Sequence, residues 1–163
     1  MSSAAELAFR IQAPNSLPRS VKVVALDAPG ELTVKRLATA GWTHTTFLTA
    51  SAFLGASRAD PRFPIDGWLT DLAGGTKHLV DEIDTADLVV MVASPGGHAE
   101  VASIIGELCH LKKVMTTALI VGVSKASDED LSKTLSQLRP WSQMVVIADA
   151  EQYIDDMLVA LRA

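Results

Sequence analysis

The sequence predicts a single three-layer α/β domain, in which a mainly parallel sheet of five or six strands carries helices on both faces. Two observations lead to this prediction. Short apolar, β-branched runs alternate with helix-period segments five times along the 163 residues, and right-handed crossovers between such strands leave few other arrangements. Hydrophobic residues also make up 48% of the chain against 20% charged residues, as expected for strands buried on both faces.

The first 20 residues are expected to form an arm ahead of a Rossmann-like domain at residues 21–163. Two prolines and an asparagine disfavour regular structure there, although the alternation of Leu7, Phe9 and Ile11 fits a short edge strand. The arm carries charges within its first ten residues and has no continuous apolar run. It is therefore not expected to be a secretory signal.

The domain is expected to begin with a strand, a helix and a second strand. The run "VKVVAL" (21–26) is apolar and β-branched, and the turn "DAPG" follows it. The segment "ELTVKRLATAG" then has helical periodicity and ends at Gly41, which suits the end of a helix. The second strand is "HTTFLTA".

The next part of the chain is read as a long surface loop over residues 51–66, followed by helical structure. Apolar residues between Leu69 and Ile83 fit a helix period. Gly74 and Gly75 interrupt this pattern, and each would cost about 1 kcal/mol relative to alanine inside a helix. We therefore expect a short helical turn, a glycine break, and a helix that starts near Thr76.

Three further strands and the helices between them complete the predicted sheet: "DLVVMVAS" (87–94), "TTALIVGV" (116–123) and "QMVVIA" (143–148). Ser127 is placed to cap the helix before the last strand, since three acids follow it in the first turn. Asp149 is placed to cap the final helix, with Gln152 at the capping-box position.

A ligand is expected at the carboxyl ends of the first and third predicted strands. Strand orders such as 2-1-3-4-5 reverse beside strand one, and ligands of open parallel sheets bind at that reversal. Two short glycine turns meet there, and the helices that follow them offer N–H groups and positive dipole ends to an anion. Gly74–Gly75 is expected to close over the same crevice. The candidate ligand-binding residues are Asp27, Gly30, Gly75, Ser94, Gly96, Gly97 and His98.

Asp27 weighs against a phosphate, and a plain structural turn remains the alternative to a phosphate or carboxylate site. A carboxylate at the tip of strand one repels phosphate and suits a ribose hydroxyl, a magnesium ion or a helix cap. Of these three roles, the sequence favours the cap, because Asp is a preferred N-cap residue.

Several classes of site are excluded by their missing patterns. The chain has no G-x-G-x-x-G after strand one, no G-x-x-x-x-G-K-[ST] and no G-x-S-x-G elbow. Cys109 and His110 are neighbours in a helix, where their side chains diverge, and no second cysteine supplies a metal spacing. We therefore expect no metal site.

The charge and the cysteine content limit which partners and which cellular compartment are expected. The net charge is −5 and the 14 basic residues are scattered, so nucleic acid is not an expected partner. No apolar run approaches the length of a membrane span. A single cysteine fits the cytoplasm. The apolar excess, with a mean hydropathy of +0.26, and the three tryptophans are also compatible with a homo-oligomer.

Three segments carry a resemblance to a known family: "VKVVALDAPG", "LAGGTKHLVDEID" and "TADLVVMVASPGGHAEVASIIGELCHLKKVMTTALIVGV". In their order and glycine turns they resemble the nucleotide-binding domain of the tubulin-like cell-division GTPases. The resemblance implies the fold and the crevice, with Gly30, Gly75, Gly96 and Gly97 at the ligand. It implies neither GTP hydrolysis nor polymerisation. The family's phosphate loop is a run of glycines and threonines, whereas this chain keeps two glycines there, and the family's C-terminal domain does not follow.

The expected function is the binding of a nucleotide or another anionic small molecule, without strong catalysis. An accessory subunit that engages a protein partner and no small molecule is an alternative. An enzyme is a further alternative, for which Asp27, Ser94 and His98 would supply the polar groups. No pattern in the sequence names a reaction, and a nucleotide is the one cofactor class that it suggests.

Overall fold

The computed structural model describes residues 20–50, 68–97, 99–148 and 151–161, and a seven-stranded sheet runs through them. Its strands are β1 (Val21–Ala25), β2 (Thr45–Thr49), β3 (Trp68–Asp71), β4 (Thr76–His78), β5 (Leu88–Ala93), β6 (Met115–Val121) and β7 (Met144–Ala148). The helices are α1 (Ala28–Ala38), α2 (Leu79–Asp84), α3 (Val101–Lys112), α4 (Asp128–Leu138) and α5 (Glu151–Ala160), with single 3-10 turns at Val123–Lys125 and Arg139–Trp141.

The strand order is β4-β3-β2-β1-β5-β6-β7. Five strands are mutually parallel: β2, β1, β5, β6 and β7. Beyond β2 the sheet is extended by β3, which is antiparallel to β2, and by β4, which is antiparallel to β3. The parallel strands therefore follow the order 2-1-3-4-5 in chain sequence, as expected from the sequence. The α/β class is confirmed, and the sheet has more strands than the five or six predicted.

Two apolar layers hold the helices against the sheet. One layer packs α2, α3 and α4 on the first face, and the other packs α1 and α5 on the opposite face. All six residues of β5 are buried, and they alternate between the layers, with Met91 in the first and Val90 in the second. The burial of both faces is the reason that this strand is a continuous apolar run.

The prediction of helical structure across residues 69–83 is wrong for most of that segment. Residues 68–78 form the antiparallel hairpin of β3 and β4, and only Leu79–Asp84 is helical. The turn is set by Asp71, whose Oδ1 accepts hydrogen bonds from the N–H groups of Ala73 (3.0 Å) and Gly75 (2.8 Å). Gly74 takes the left-handed conformation at φ +90°, which glycine adopts without steric cost.

Of the other predicted elements and helix caps, one cap is confirmed and several cannot be compared with the structure. The cap at Ser127 is confirmed, since its side chain accepts a hydrogen bond from the N–H of Asp130 at 3.2 Å. The expected edge strand in the arm, the loop at 51–66, and the caps at Asp149 and Gln152 lie outside the described residues or side chains. Among the helices of the described residues, none is long and apolar enough to cross a membrane.

A buried ion pair crosses from the central strand to a helix. Lys22 on β1 lies 2.9 Å, Nζ to Oε2, from Glu82 on α2, and the two side chains are only 10% and 16% exposed. The Lys22 ammonium also donates to the hydroxyl of Thr46 on β2 at 3.3 Å. Together these contacts tie α2 to the amino end of the sheet.

Candidate functional site

The crevice lies where the strand order reverses, between β1 and β5. The loop after β1 leads to α1 on one face of the sheet, and the loop after β5 leads toward α3 on the other face. The two loops therefore part in opposite directions above the carboxyl ends of the two strands. This is the position expected from the sequence.

Asp27 joins the two loops. Its side chain caps α1 by accepting a hydrogen bond from the N–H of Gly30 at 2.7 Å through Oδ1. Its Oδ2 accepts two more, from the N–H of Ser94 at 2.7 Å and from the Ser94 hydroxyl at 3.0 Å. Asp27 and Ser94 are both buried. A carboxylate with three donors at such a position acts as a clamp between the loops, in addition to its predicted role as a cap.

Two of the predicted glycines are required by this clamp. A Cβ atom on Gly97 would overlap the Asp27 carboxylate, with Cγ at 2.9 Å and Cβ at 3.1 Å. A Cβ atom on Gly30 would lie 2.7 Å from the carbonyl oxygen of Val92 and 2.9 Å from Asp27 Oδ1. Both contacts are closer than real Cβ atoms tolerate. The internal packing of the crevice therefore accounts for these glycines.

Gly96 connects the loop to α4. It takes the left-handed conformation at φ +80°, and its N–H donates to the hydroxyl of Thr134 at 3.1 Å. A Cβ atom there would lie 3.3 Å from the carboxyl carbon of Asp130. Thr134 is 1% exposed. Neither Asp130 nor Thr134 was predicted to lie at this site, because no local pattern connects a residue of α4 to a loop more than thirty positions earlier.

The two helices that begin at the crevice differ in their caps. Helix α1 is capped by Asp27, whereas α3 begins at Glu100 with no side-chain hydrogen bond to its first turn among the described residues. In the first turn of α3, the hydroxyl of Ser103 donates backwards to the carbonyl of Glu100 at 2.9 Å. The N–H groups of Ala102 and Ser103 donate instead to the carbonyls of Ala99 and Glu100, at 3.1 and 3.3 Å. What the N-terminus of α3 offers a ligand is therefore mainly the positive end of the helix dipole.

The structure brings most of the candidate residues together. Five of them meet in the two loops of the crevice: Asp27, Gly30, Ser94, Gly96 and Gly97. His98 lies outside the described residues. Gly75 is a correction. It lies in the β3–β4 turn, which points toward the amino ends of the parallel strands because β3 runs antiparallel to β2, and so it does not close over the crevice.

Metal binding gains no support from the described residues, which contain no group of three or more His, Cys, Asp or Glu side chains suited to a metal ion. Cys109 is completely buried in the layer under α3, whereas the neighbouring His110 is exposed. The two side chains therefore face different surroundings, as the sequence predicts for adjacent helical residues.

The stability of the protein is expected to fall at alkaline pH because of Cys109. Burial raises the pKa of its thiol from 9.0 to about 12. Above pH 9 the unfolded chain loses this proton while the folded chain keeps it, so rising pH favours unfolding until the folded pKa is reached. Between pH 7.5 and 10.5 the wild type should lose about 2 kcal/mol more than Cys109→Ala, from 1.36 kcal/mol per unit of the interval above pH 9. Urea unfolding of both proteins at the two pH values measures this, and parallel pH profiles would contradict it.

Comparisons with known proteins give matches of structure only. No family model matches the sequence, and no curated protein matches it. The complex of translation elongation factor SelB from Methanococcus maripaludis with the GTP analogue GppNHp superimposes with a TM-score of 0.53 at 10% identity, over 89% of this chain. An empty FtsZ dimer from M. jannaschii gives a TM-score of 0.52 at 12% identity, over 95% of this chain.

This chain spans 34% of the SelB chain and 52% of the FtsZ chain. At these identities the likeness concerns the fold alone. It agrees with the Rossmann-like α/β class and with the fold implied by the sequence resemblance to tubulin-like GTPases.

Proposed function

We propose that the domain binds a nucleotide, or a similar phosphorylated small molecule, with a phosphate at the N-terminus of α3. One observation carries the proposal: at the reversal of strand order, no side chain of the described residues caps α3, while α1 is capped by Asp27. An anion suits such an end because it meets the positive end of the dipole. The N–H groups of Ala102 and Ser103 already donate to the carbonyls of Ala99 and Glu100, so the attraction is mainly that of the dipole.

The choice of a nucleotide among anions rests on analogy of fold. The SelB structure holds a GTP analogue, and in the resemblance to tubulin-like GTPases the loop before α3 corresponds to the phosphate loop. A cytoplasmic setting, where a single thiol stays reduced, is part of the proposal. Catalysis is not, because the Asp27 carboxylate already accepts three hydrogen bonds and the hydroxyl of Ser94 is itself one of the donors.

The acidic residues of the crevice limit the form of the ligand. Glu100 and Asp130 are exposed at the same edge, and like charges in a shared site repel. We therefore expect the magnesium complex of a nucleotide to bind more tightly than the free nucleotide. The phosphate would lie toward α3 and away from α1, whose first turn is already occupied by the Asp27 carboxylate.

Ser103 offers a test in which protein stability and ligand binding change in opposite directions. In Ser103→Asp the new carboxylate lies in the first turn of α3, where it should stabilise the free protein by about 0.3–1 kcal/mol and repel a phosphate. In Ser103→Asn the shape is similar and the charge is absent. We expect GTP, GDP, ATP or another nucleotide with Mg²⁺ to raise the melting temperature of the wild type and of Ser103→Asn, and to leave Ser103→Asp unchanged.

Thermal denaturation with calorimetric titration measures both effects. A ligand at 100 times its Kd should stabilise the native state by about 2.7 kcal/mol, which corresponds to roughly 5–11 °C for a domain of this size. The proposal fails if no nucleotide raises the melting temperature of the wild type. It also fails if a nucleotide raises that of Ser103→Asp equally, because the phosphate would then lie elsewhere.

We also propose that two copies associate through β7. Among the described residues β7 has a strand neighbour on one side only, and its sequence "MVVIA" has no charge, with Met144 and Ile147 42% and 45% exposed. The opposite edge, β4, is three residues long and carries Lys77, as is usual for an edge protected from pairing. A free apolar edge pairs readily with a second strand.

The expected species is a dimer of the 17.3 kDa chain with β7 paired to β7 of the partner. Light scattering after size exclusion should give twice the monomer mass for the wild type and the monomer mass for Ile147→Lys. The matched change at the other edge, Thr76→Lys, should leave the dimer intact. A monomeric wild type would overturn this part of the proposal.

A further inference from the structure

A second cleft, of about 300 Å³, lies at the amino ends of strands β6 and β7, whereas the crevice lies at the carboxyl ends of β1 and β5. Its lining comes from three parts of the chain. Gly106 and His110 belong to α3, Thr116 stands at the amino end of β6, and Trp141 and Ser142 belong to the turn before β7. The cleft is therefore separate from the loops that hold Asp27, which follow the carboxyl ends of β1 and β5.

The tryptophan wall of this cleft is fixed by the backbone around it. The hydroxyl of Thr116 donates to the carbonyl of Trp141 at 3.0 Å, and the N–H of Gln143 donates to the carbonyl of Thr116 at 3.1 Å. Gly106 lets α3 approach closely, since a Cβ atom there would overlap Trp141, with Cγ at 3.1 Å. A wall held in this way is formed before any ligand arrives, which lowers the cost of binding.

Ser142 provides a polar group that lacks a partner. Its Oγ is buried, and it has no hydrogen-bond partner among the residues that the structure describes. Most buried hydroxyls in proteins are paired, so each exception calls for an explanation. Ser142 lines the cleft, and a rotation of its side chain that turns the buried Oγ into the cleft would let a ligand supply the missing hydrogen bond.

The size and polarity of the cleft indicate the class of ligand. A volume of about 300 Å³ lies at the lower end of the range for small-molecule sites. The indole of Trp141 offers an aromatic surface, which favours flat rings. Among the described lining residues there is no carboxylate, lysine or arginine, and His110 is the one titratable side chain, so the lining offers a ligand no permanent charge.

We propose that this cleft binds a small, uncharged, planar heteroaromatic ring of the size of a nucleobase or an indole. The ring packs against Trp141, and one polar atom on its edge forms a hydrogen bond with the Ser142 hydroxyl. The site is independent of the nucleotide site proposed at α3, and either one can be absent without the other.

Two-dimensional NMR with three probes tests this site. Adenine and indole are planar heteroaromatic rings, whereas cyclohexanol is of similar size and is not planar. Adenine or indole should shift the indole N–H of Trp141 and the backbone signals of Gly106 and Ser142 with a saturable Kd. Ser142→Ala should weaken that binding about five- to tenfold, as for the loss of one hydrogen bond. The matched change Ser136→Ala, at an exposed position of α4, should not alter it.

A second variant tests the site without removing the Ser142 hydroxyl, so that loss of binding is not confused with loss of the fold. His110→Trp adds bulk at an exposed position of the rim and should abolish binding while the spectrum stays that of a folded protein. The proposal is overturned if no lining signal moves at millimolar adenine or indole, or if cyclohexanol binds as well as they do. It is also overturned if Ser142→Ala binds with unchanged affinity. Shifts confined to Gly96 and Ser103 would overturn it too, and would place the ring at the nucleotide site instead.

Discussion

Replacement of Asp27 by alanine is expected to lower the free energy of unfolding by about 3–5 kcal/mol. The variant loses the cap of α1 and leaves the N–H groups of Gly30 and Ser94, as well as the Ser94 hydroxyl, without the acceptor that they have in the native protein. Buried donors that lose their acceptor carry the full cost of desolvation. Urea unfolding measures the change. Asp128→Ala, in the exposed first turn of α4, is the control and should cost less than about 1 kcal/mol.

The clamp also predicts that Asp27 and Gly97 are energetically coupled. Gly97→Ala should cost about 1–3 kcal/mol, because its new Cβ atom overlaps the Asp27 carboxylate. In the Asp27→Ala background that overlap is absent, so the second substitution should cost much less. A double-mutant cycle measures the difference. Additive costs would show that the two side chains do not share this space.

Gly75→Ala is the matched control for the glycine change. Its Cβ atom would approach Asp71 Oδ2 at 2.9 Å, but this oxygen is not the one that accepts the hydrogen bonds of the turn, and the side chain is 27% exposed. We therefore expect a smaller loss than for Gly97→Ala. A larger loss would mean that the β3–β4 turn contributes more to stability than the crevice does.

The second large effect is expected at the ion pair of Lys22 and Glu82. Removal of one partner, as in Glu82→Ala, leaves an ammonium that is only 10% exposed without its counter-ion, and we expect a loss of about 2–4 kcal/mol. Lys22→Met combined with Glu82→Leu removes both charges, keeps the volume, and should be close to neutral or stabilising. Chemical unfolding of the single and double variants separates these outcomes.

The pair between Arg36 and Asp155 is the natural control for this experiment. Its atoms are 3.5 Å apart, and its side chains are 30% and 37% exposed. Exposed pairs contribute about 0–1 kcal/mol, so Asp155→Ala should have a small effect. Equal losses at the two pairs would contradict the view that burial makes the Lys22 contact costly to break.

The parts of the fold that sequence predicts well are those with a local cause. The strand β5 is a continuous apolar run because both of its faces are buried. Asp27 and Ser127 are recognisable as caps because each precedes a helical pattern and each bonds to an N–H three residues later. The hairpin at residues 68–78 was wrongly predicted to be helical. Leu69 and Leu79 are both buried, so they fit one helical pattern, although they belong to different elements. Asp71 ahead of two glycines is a turn signal that could have found it.

The contacts that sequence does not predict are those between distant residues. Ser94 reaches Asp27 across 67 positions, and Lys22 reaches Glu82 between a strand and a helix that lie far apart in the chain. A lysine in a strand usually indicates a solvent-facing position, so nothing local distinguishes Lys22 as buried. Such contacts arise only when the topology brings the elements together.

The order of the central strands has a consequence for synthesis on the ribosome. Strand β1 lies between β2 and β5, so its second edge stays open until β5 has been made, and the clamp must wait for Ser94, 67 residues after Asp27. At about 5–20 residues per second this interval lasts roughly 3–13 s. During that time an apolar strand edge is available to other chains. A nascent chain that is halted before β5 should therefore be recognised by chaperones, and one that extends past α3 should be released.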